Sequence, residues 1–168
     1  MPELIVTKDL DIAGIDGIEV YRQNGGYEAL AKALNEYQPD EIVELMKQSG
    51  LRGRGGAGFP TGMKWSFLAK NDMPRYLCCN ADESEPGTFK DRMLMEKNPH
   101  MLVEGVLITS YACRVSTAFI YVRGELQLAA EQVERAVQEA YDAGVIGKNV
   151  LGTDFSVDII VHRGAGAY

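Results

Sequence analysis

Apolar and polar positions along this chain change period several times, and each change marks an element. From Pro39 onward, Ile42, Val43, Leu45 and Met46 keep the spacing of an amphipathic helix, with Asp40 and Glu41 in its first turn and Gly50 where a C′ glycine belongs. Trp65, Phe67 and Leu68 begin another apolar face, and Thr61 is placed to cap the helix that carries it. Arg75 to Asn80 is a short apolar run suited to a buried strand, whereas Leu102 to Ala112 is apolar almost all round, as a covered helix would be. Thr117 to Val122 is rich in β-branched and aromatic residues, Leu126 to Tyr141 returns to helical spacing, and Phe155 to Val161 has strand character. The order is βαβαβ, which predicts an α/β fold with a parallel sheet behind a set of N-terminal helices. The chain divides at residue 72: a helical segment with a glycine-rich loop over 1–72, and an α/β domain over 73–168.

In a parallel sheet, ligands gather beyond the carboxyl ends of the strands. Here the three predicted strands run into Asn80-Ala81-Asp82-Glu83-Ser84-Glu85-Pro86-Gly87, Arg123-Gly124-Glu125, and His162-Arg163-Gly164-Ala165-Gly166-Ala167-Tyr168, all of which should share one edge. A fourth polar segment, Ser49 to Trp65, is dense in glycine and punctuated by Arg52, Arg54 and Lys64. Glycine is entropically costly, so such density implies positive φ or close approach of backbone to a ligand. Gly53, Gly55 and Gly58 satisfy G-x-G-x-x-G, but a helix precedes them where the dinucleotide fingerprint needs a strand, and the spacing to Lys64 is wrong for a P-loop. A helix start beside glycine amides and a lysine still favours an anion, and a phosphate fits. A flexible linker or an RGG segment fits poorly, because Phe59, Met63, Trp65 and Phe67 interrupt the run and Arg54-Gly55-Gly56 is not repeated.

Composition narrows the remaining classes. The 168 residues are 46% hydrophobic and 24% charged, enough for one ordinary core. The net charge of −7 disfavours general binding to nucleic acid. No apolar run is long enough to span a bilayer and the N-terminus lacks a basic leader, so a cytoplasmic protein is expected. Cys78, Cys79 and Cys113 lack metal-ligand spacing and sit among apolar residues, which predicts buried thiols and no metal site. His100 and His162 have no partner pattern and are expected in core or surface roles. Asp82, Glu83 and Glu85 would repel a phosphate, so they suit hydroxyls and ring N–H groups; a solvated turn closed by Pro86-Gly87 and a magnesium site are the other readings.

The segments Ser49–Phe67, Tyr76–Arg92 and Tyr121-Val122-Arg123-Gly124-Glu125, with the ending at Tyr168, together resemble the NADH-binding flavoprotein subunit of respiratory complex I, the family of the 51-kDa subunit. Flavoprotein subunits of NAD-linked hydrogenases and formate dehydrogenases share the two long motifs. The resemblance implies a Rossmann-like domain in which FMN phosphate and ribityl lie against Gly53, Gly55 and Lys64, then Asn80, Asp82 and Glu83, with Tyr168 a further flavin contact. NADH would stack on Phe59 and Phe67, with Glu85 next to the nicotinamide nucleotide. Hydride would pass to FMN, which carries the chemistry without a catalytic side chain.

The resemblance further implies a complex I-type assembly on the cytoplasmic face of the inner membrane, including a thioredoxin-like iron–sulfur subunit. Family members continue into a further flavin-site segment, a ubiquitin-like domain and a helical bundle with a four-iron four-sulfur cluster, none of which is in this sequence. The expectation is therefore an N-terminal fragment that binds FMN weakly and does not reduce quinone alone. A split-subunit assembly module and a flavin-free nucleotide-binding regulator are the alternatives from other classes.

Overall fold

The computed structural model describes residues 4–69 and 71–166. Short helices α1 (Ile18–Gln23), α2 (Glu28–Glu36), α3 (Pro39–Gln48) and α4 (Thr61–Ser66) precede β1 (Tyr76–Ala81). There follow α5 (Lys90–Lys97), α6 (Pro99–Cys113), β2 (Thr117–Val122), α7 (Gln127–Asp142) and β3 (Asp158–Arg163). The strands form one parallel sheet in the order β1-β2-β3. Tyr76 lies opposite Thr117, which lies opposite Asp158, and the register runs unbroken to Ala81, Val122 and Arg163. The predicted βαβαβ order is therefore present, and all three strands end at one edge.

Strand alternation decides the layering. Ala118, Ile120, Val122 and Ile159 are buried under α6 and α7, while Tyr76 and Ile160 on the opposite face stay exposed. Helix α6 is covered nearly all round, with Val103, Val106 and Leu107 in the core, as its unbroken apolar character predicts. Tyr21, Tyr27 and Leu30 share that hydrophobic cluster with Ile120 and Val133, so packing continues across residue 72.

A buried polar cluster joins the N-terminal helices to α6 and α7. The Glu104 carboxylate accepts from the Tyr21 hydroxyl, from Tyr27 N at 3.0 Å and from Leu30 N at 3.0 Å. Burial, reinforced by Glu104, pushes the Tyr21 hydroxyl pKa well up, and burial does the same to Tyr27. His100, fully buried, lies 2.8 Å from the Tyr27 hydroxyl and 3.0 Å from Glu139 Oε2. Its pKa is lowered by burial, against the opposing pull of Glu139. The core role expected of His100 is thus realised as a structural bridge.

Three local expectations need correction. Thr61 does not cap α4: Pro60 holds the cap position, and the Thr61 amide donates to the Leu51 carbonyl at 2.8 Å. The last strand begins at Asp158 rather than Phe155, because Val157 pairs antiparallel with Gly147 and Phe155 packs its ring on Tyr111, 5.3 Å between centroids. Cys78 is exposed on the open face of β1, whereas Cys113 is buried.

Candidate functional site

The glycine-rich segment is a closed loop on a short antiparallel neck. Arg52 bridges Pro60, Gly53 N donates to the Phe59 carbonyl at 2.9 Å, and the Arg52 guanidinium reaches the Gly58 carbonyl at 3.0 Å. Gly56 and Gly58 have φ of +115° and +61°, which L side chains rarely adopt. Gly62 serves packing: a Cβ there would lie 2.4 Å from Lys47 N and 2.6 Å from the Met46 carbonyl carbon. Glycine therefore does two jobs, bending the loop tip and seating α4 on α3.

The acidic segment beyond β1 is built from its own polar groups. Asp82 N donates to Asn80 Oδ1 at 2.9 Å, the Ser84 hydroxyl donates to Asp82 Oδ2 at 2.9 Å, and Thr88 N and its hydroxyl both donate to the Glu85 carbonyl. Glu83 is nearly buried. Its carboxylate accepts from Asp91 N at 3.1 Å and from Arg92 N at 3.0 Å, capping the first turn of α5. Lys90 Nζ lies 2.6 Å from Asp91 and 3.8 Å from Glu83.

The loop and the acidic segment face each other across a cavity of about 590 Å³ at the carboxyl edge of the sheet. Arg54, Gly55 and Gly56 line one side; Asn80, Asp82, Glu83, Ser84, Glu85, Thr88, Lys90 and Asp91 line the other. Of the residues singled out from sequence, the cavity brings together Gly55, Asn80, Asp82, Glu83 and Glu85. Gly53 stands in the neck and Lys64 within α4, outside that lining. Phe59 and Phe67 form a neighbouring exposed pair, 6.1 Å between ring centroids and tilted by 54°. Tyr168 lies outside the described residues. Sequence reasoning did not single out Arg54, Thr88 or Lys90 as lining residues. The available signal was a cation at the tip of a glycine loop and a second cation just beyond Pro86-Gly87.

An adjoining apolar groove of about 620 Å³, between β1, α4 and α6, shares Asn80 and Asp91 with the cavity. Cys79 lines it, and burial pushes that thiol up to about 11. Among the described residues, no three His, Cys, Asp or Glu side chains are gathered to hold a metal ion, and no helix is long and apolar enough to cross a membrane.

Comparison with known proteins adds independent findings. Residues 46–168 match the family described as the Nuo51 FMN-binding domain. The chain is 53% identical to an NADH-quinone oxidoreductase subunit of Rhizobium meliloti (strain 1021), over 100% of this chain and 40% of that protein. It is 52% identical to the corresponding NADH-quinone oxidoreductase subunit of Escherichia coli (strain K12), over 90% of this chain and 34% of the relative. Among solved structures, an NAD+-reducing [NiFe]-hydrogenase in the H2-reduced state is similar with a TM-score of 0.73 and 34% identity, covering 99% of this chain and 26% of that one. The chain thus spans well under half the length of the curated relatives it matches.

Proposed function

This chain belongs to the family of the Nuo51 FMN-binding domain, and from that premise we propose that it forms one wall of an FMN site in a flavoprotein that oxidises NADH. The observation that carries the reading is the cavity itself, where a glycine loop with one cation meets a strand-end segment rich in acceptors.

Its chemistry fits FMN. The volume lies within the range of small-molecule sites. At one end Arg54, which no acidic side chain pairs among the described residues, and the backbone of Gly55 and Gly56 offer donors to a phosphate. Gly53 and Lys64 complete that end in this proposal. On the other side Asn80, Asp82 and Glu83 present amide, carboxylate and carbonyl acceptors to ribityl hydroxyls, with Tyr168 as a further flavin contact. When bound, FMN supplies the hydride acceptor and releases electrons singly. The side chains bind and orient: Phe59 and Phe67 offer exposed faces for the NADH rings, and Glu85 stands beside the nicotinamide nucleotide.

We further propose that the activity belongs to a larger NADH-quinone oxidoreductase assembly. It would be peripheral to a membrane on the cytoplasmic side, with a thioredoxin-like iron–sulfur subunit as a partner and an iron–sulfur cluster beyond the residues present here. The division at residue 72 marks the loop-bearing part from the α/β part of this wall. Identities of 52–53% to NADH-quinone oxidoreductase subunits against 34% to the hydrogenase favour the quinone oxidoreductase over the hydrogenase reading.

Titration of the 168-residue chain with FMN and with riboflavin, followed by flavin fluorescence, tests the reading. FMN should bind, and riboflavin should bind at least about tenfold more weakly, the factor expected when a charge-assisted contact to phosphate is lost. Equal affinities, or no binding of either, would overturn it.

A further inference from the structure

The motif Tyr121-Val122-Arg123-Gly124-Glu125 leaves β2 at the edge where the cavity opens, yet Arg123 does not line the cavity. Its guanidinium turns to the neighbouring strand end instead, and Nη1 donates to the Glu83 carbonyl oxygen at 3.2 Å. Nε donates to Glu125 Oε2 at 3.1 Å and Nη2 to Oε1 at 3.5 Å, so one carboxylate holds the guanidinium through two of its nitrogens. Between these two residues, Gly124 lets the end of β3 close in. A Cβ at that position would lie 2.4 Å from the Gly164 carbonyl oxygen and 2.9 Å from Gly166 N. Gly164 N in turn donates to the Val122 carbonyl at 2.8 Å. The Arg-Gly-Glu triplet therefore ties the ends of all three strands together.

Glu83 is the fixed point of the acidic segment because both of its polar groups are held. Its carboxylate is bound to the amides opening α5, and its carbonyl is bound to Arg123. Ser84 and Glu85, the next two residues, line the cavity. Where they stand relative to Arg54 and Gly55 follows from where Glu83 is held. We infer that Arg123 is a positioning residue for the cavity, acting through the Glu83 carbonyl on Ser84 and Glu85, with Glu125 orienting its guanidinium. This inference rests on the FMN reading above for its ligand, but the contact through which Arg123 acts belongs to the protein alone. Lysine cannot replace it fully, since an ammonium lacks the planar fork that meets carbonyl and carboxylate together.

Two measurements on the 168-residue chain test it. Amide hydrogen exchange without any ligand reads how firmly the segment is held, at Thr88 N, which donates to the Glu85 carbonyl, and at Asp91 N and Arg92 N, which donate to Glu83, and FMN titration reads the cavity. Arg123→Met should speed exchange of these three amides and weaken FMN binding, each by about tenfold or more, the loss expected when a hydrogen bond to a charged group is removed. Protection of α7 should not change. Arg123→Lys should recover part of both losses, and Glu125→Gln should produce smaller changes of the same kind while leaving the guanidinium in place should Arg123→Met fail to fold. Exchange at Thr88, Asp91 and Arg92 that matches wild type in Arg123→Met and Glu125→Gln would overturn the inference. So would faster exchange with FMN affinity unchanged. If the wild-type chain binds no FMN, the functional reading fails while the exchange comparison still decides whether Arg123 holds the segment.

Discussion

Replacing Glu83 separates capping from ligand contact, because its carboxylate faces α5 while its backbone borders the cavity. The carboxylate receives Asp91 N and Arg92 N at 3.0–3.1 Å and is almost fully covered. Lys90, half exposed and 3.8 Å away, adds little. Glu83→Ala would remove a helix cap that also satisfies the positive end of the dipole, a loss of about 2 kcal/mol by the usual range for such caps. Glu83→Gln keeps one acceptor oxygen and loses the charge, so about half that loss, ~1 kcal/mol, is expected. For a domain of this size each kcal/mol moves the melting midpoint by about 2–4 °C, giving a fall of about 4–8 °C for the alanine variant. Thermal unfolding by circular dichroism gives these shifts, and FMN titration of the same samples gives affinity. An alanine variant that melts with wild type but no longer binds FMN would refute the capping argument and make the carboxylate a direct ligand.

Three further outcomes follow from other contacts. Gly62→Ala should destabilise the chain by about 1–3 kcal/mol in urea unfolding, because the new methyl meets the backbone of Lys47 and Met46 rather than a movable side chain; an unchanged midpoint would contradict the packing. His100 is held neutral by burial, its pKa lowered from 6.5, so the folded state takes up its proton less readily than the unfolded state does. Its contribution is fully present above pH 6.5 and is lost as pH falls through the lower folded value; urea midpoints from pH 7.5 to 5 should therefore fall more steeply for wild type than for His100→Asn. Iodoacetamide near pH 8, read by mass spectrometry, should label exposed Cys78 well before Cys79 and Cys113, whose thiols burial pushes up to about 11. Uniform labelling of all three would refute that ordering.

Elements with a full apolar period were legible because their pattern and their burial have one cause. β2 occupies Thr117–Val122 as its β-branched run predicts, and α7 follows the helical spacing that begins at Leu126. What escaped depends on partners distant in sequence. Thr61 has the side chain of a cap, yet its own amide is committed to Leu51 across the loop neck, which places the cap one residue earlier. Cys78 lies in an apolar run, but among the described residues α6 and α7 pack on the face that carries Ala118 and Ile120, and alternation turns Cys78 to the other. Helix α5 has a weak apolar stripe, and without it nothing in the sequence says what Glu83 would cap.

That capping bears on the difficulty the sequence raises most sharply, which is how a phosphate tolerates Asp82, Glu83, Glu85 and Asp91 nearby. The four carboxylates are not equivalent. Glu83 is covered and bound by two amides at the positive end of α5, and Asp91 pairs with Lys90 at 2.6 Å, so much of their field is already balanced locally. Asp82 accepts from Ser84 and, with Glu85, remains on the cavity wall as an acceptor. Arg54 then stands across the cavity with no carboxylate paired to it among the described residues. A ligand that is anionic at one end and rich in hydroxyls at the other matches this division, whereas a ligand carrying phosphate along its whole length would place charge against Asp82 and Glu85. Arg123 and Glu83 matter to that match because they hold the acceptor side at a fixed distance from the donor side.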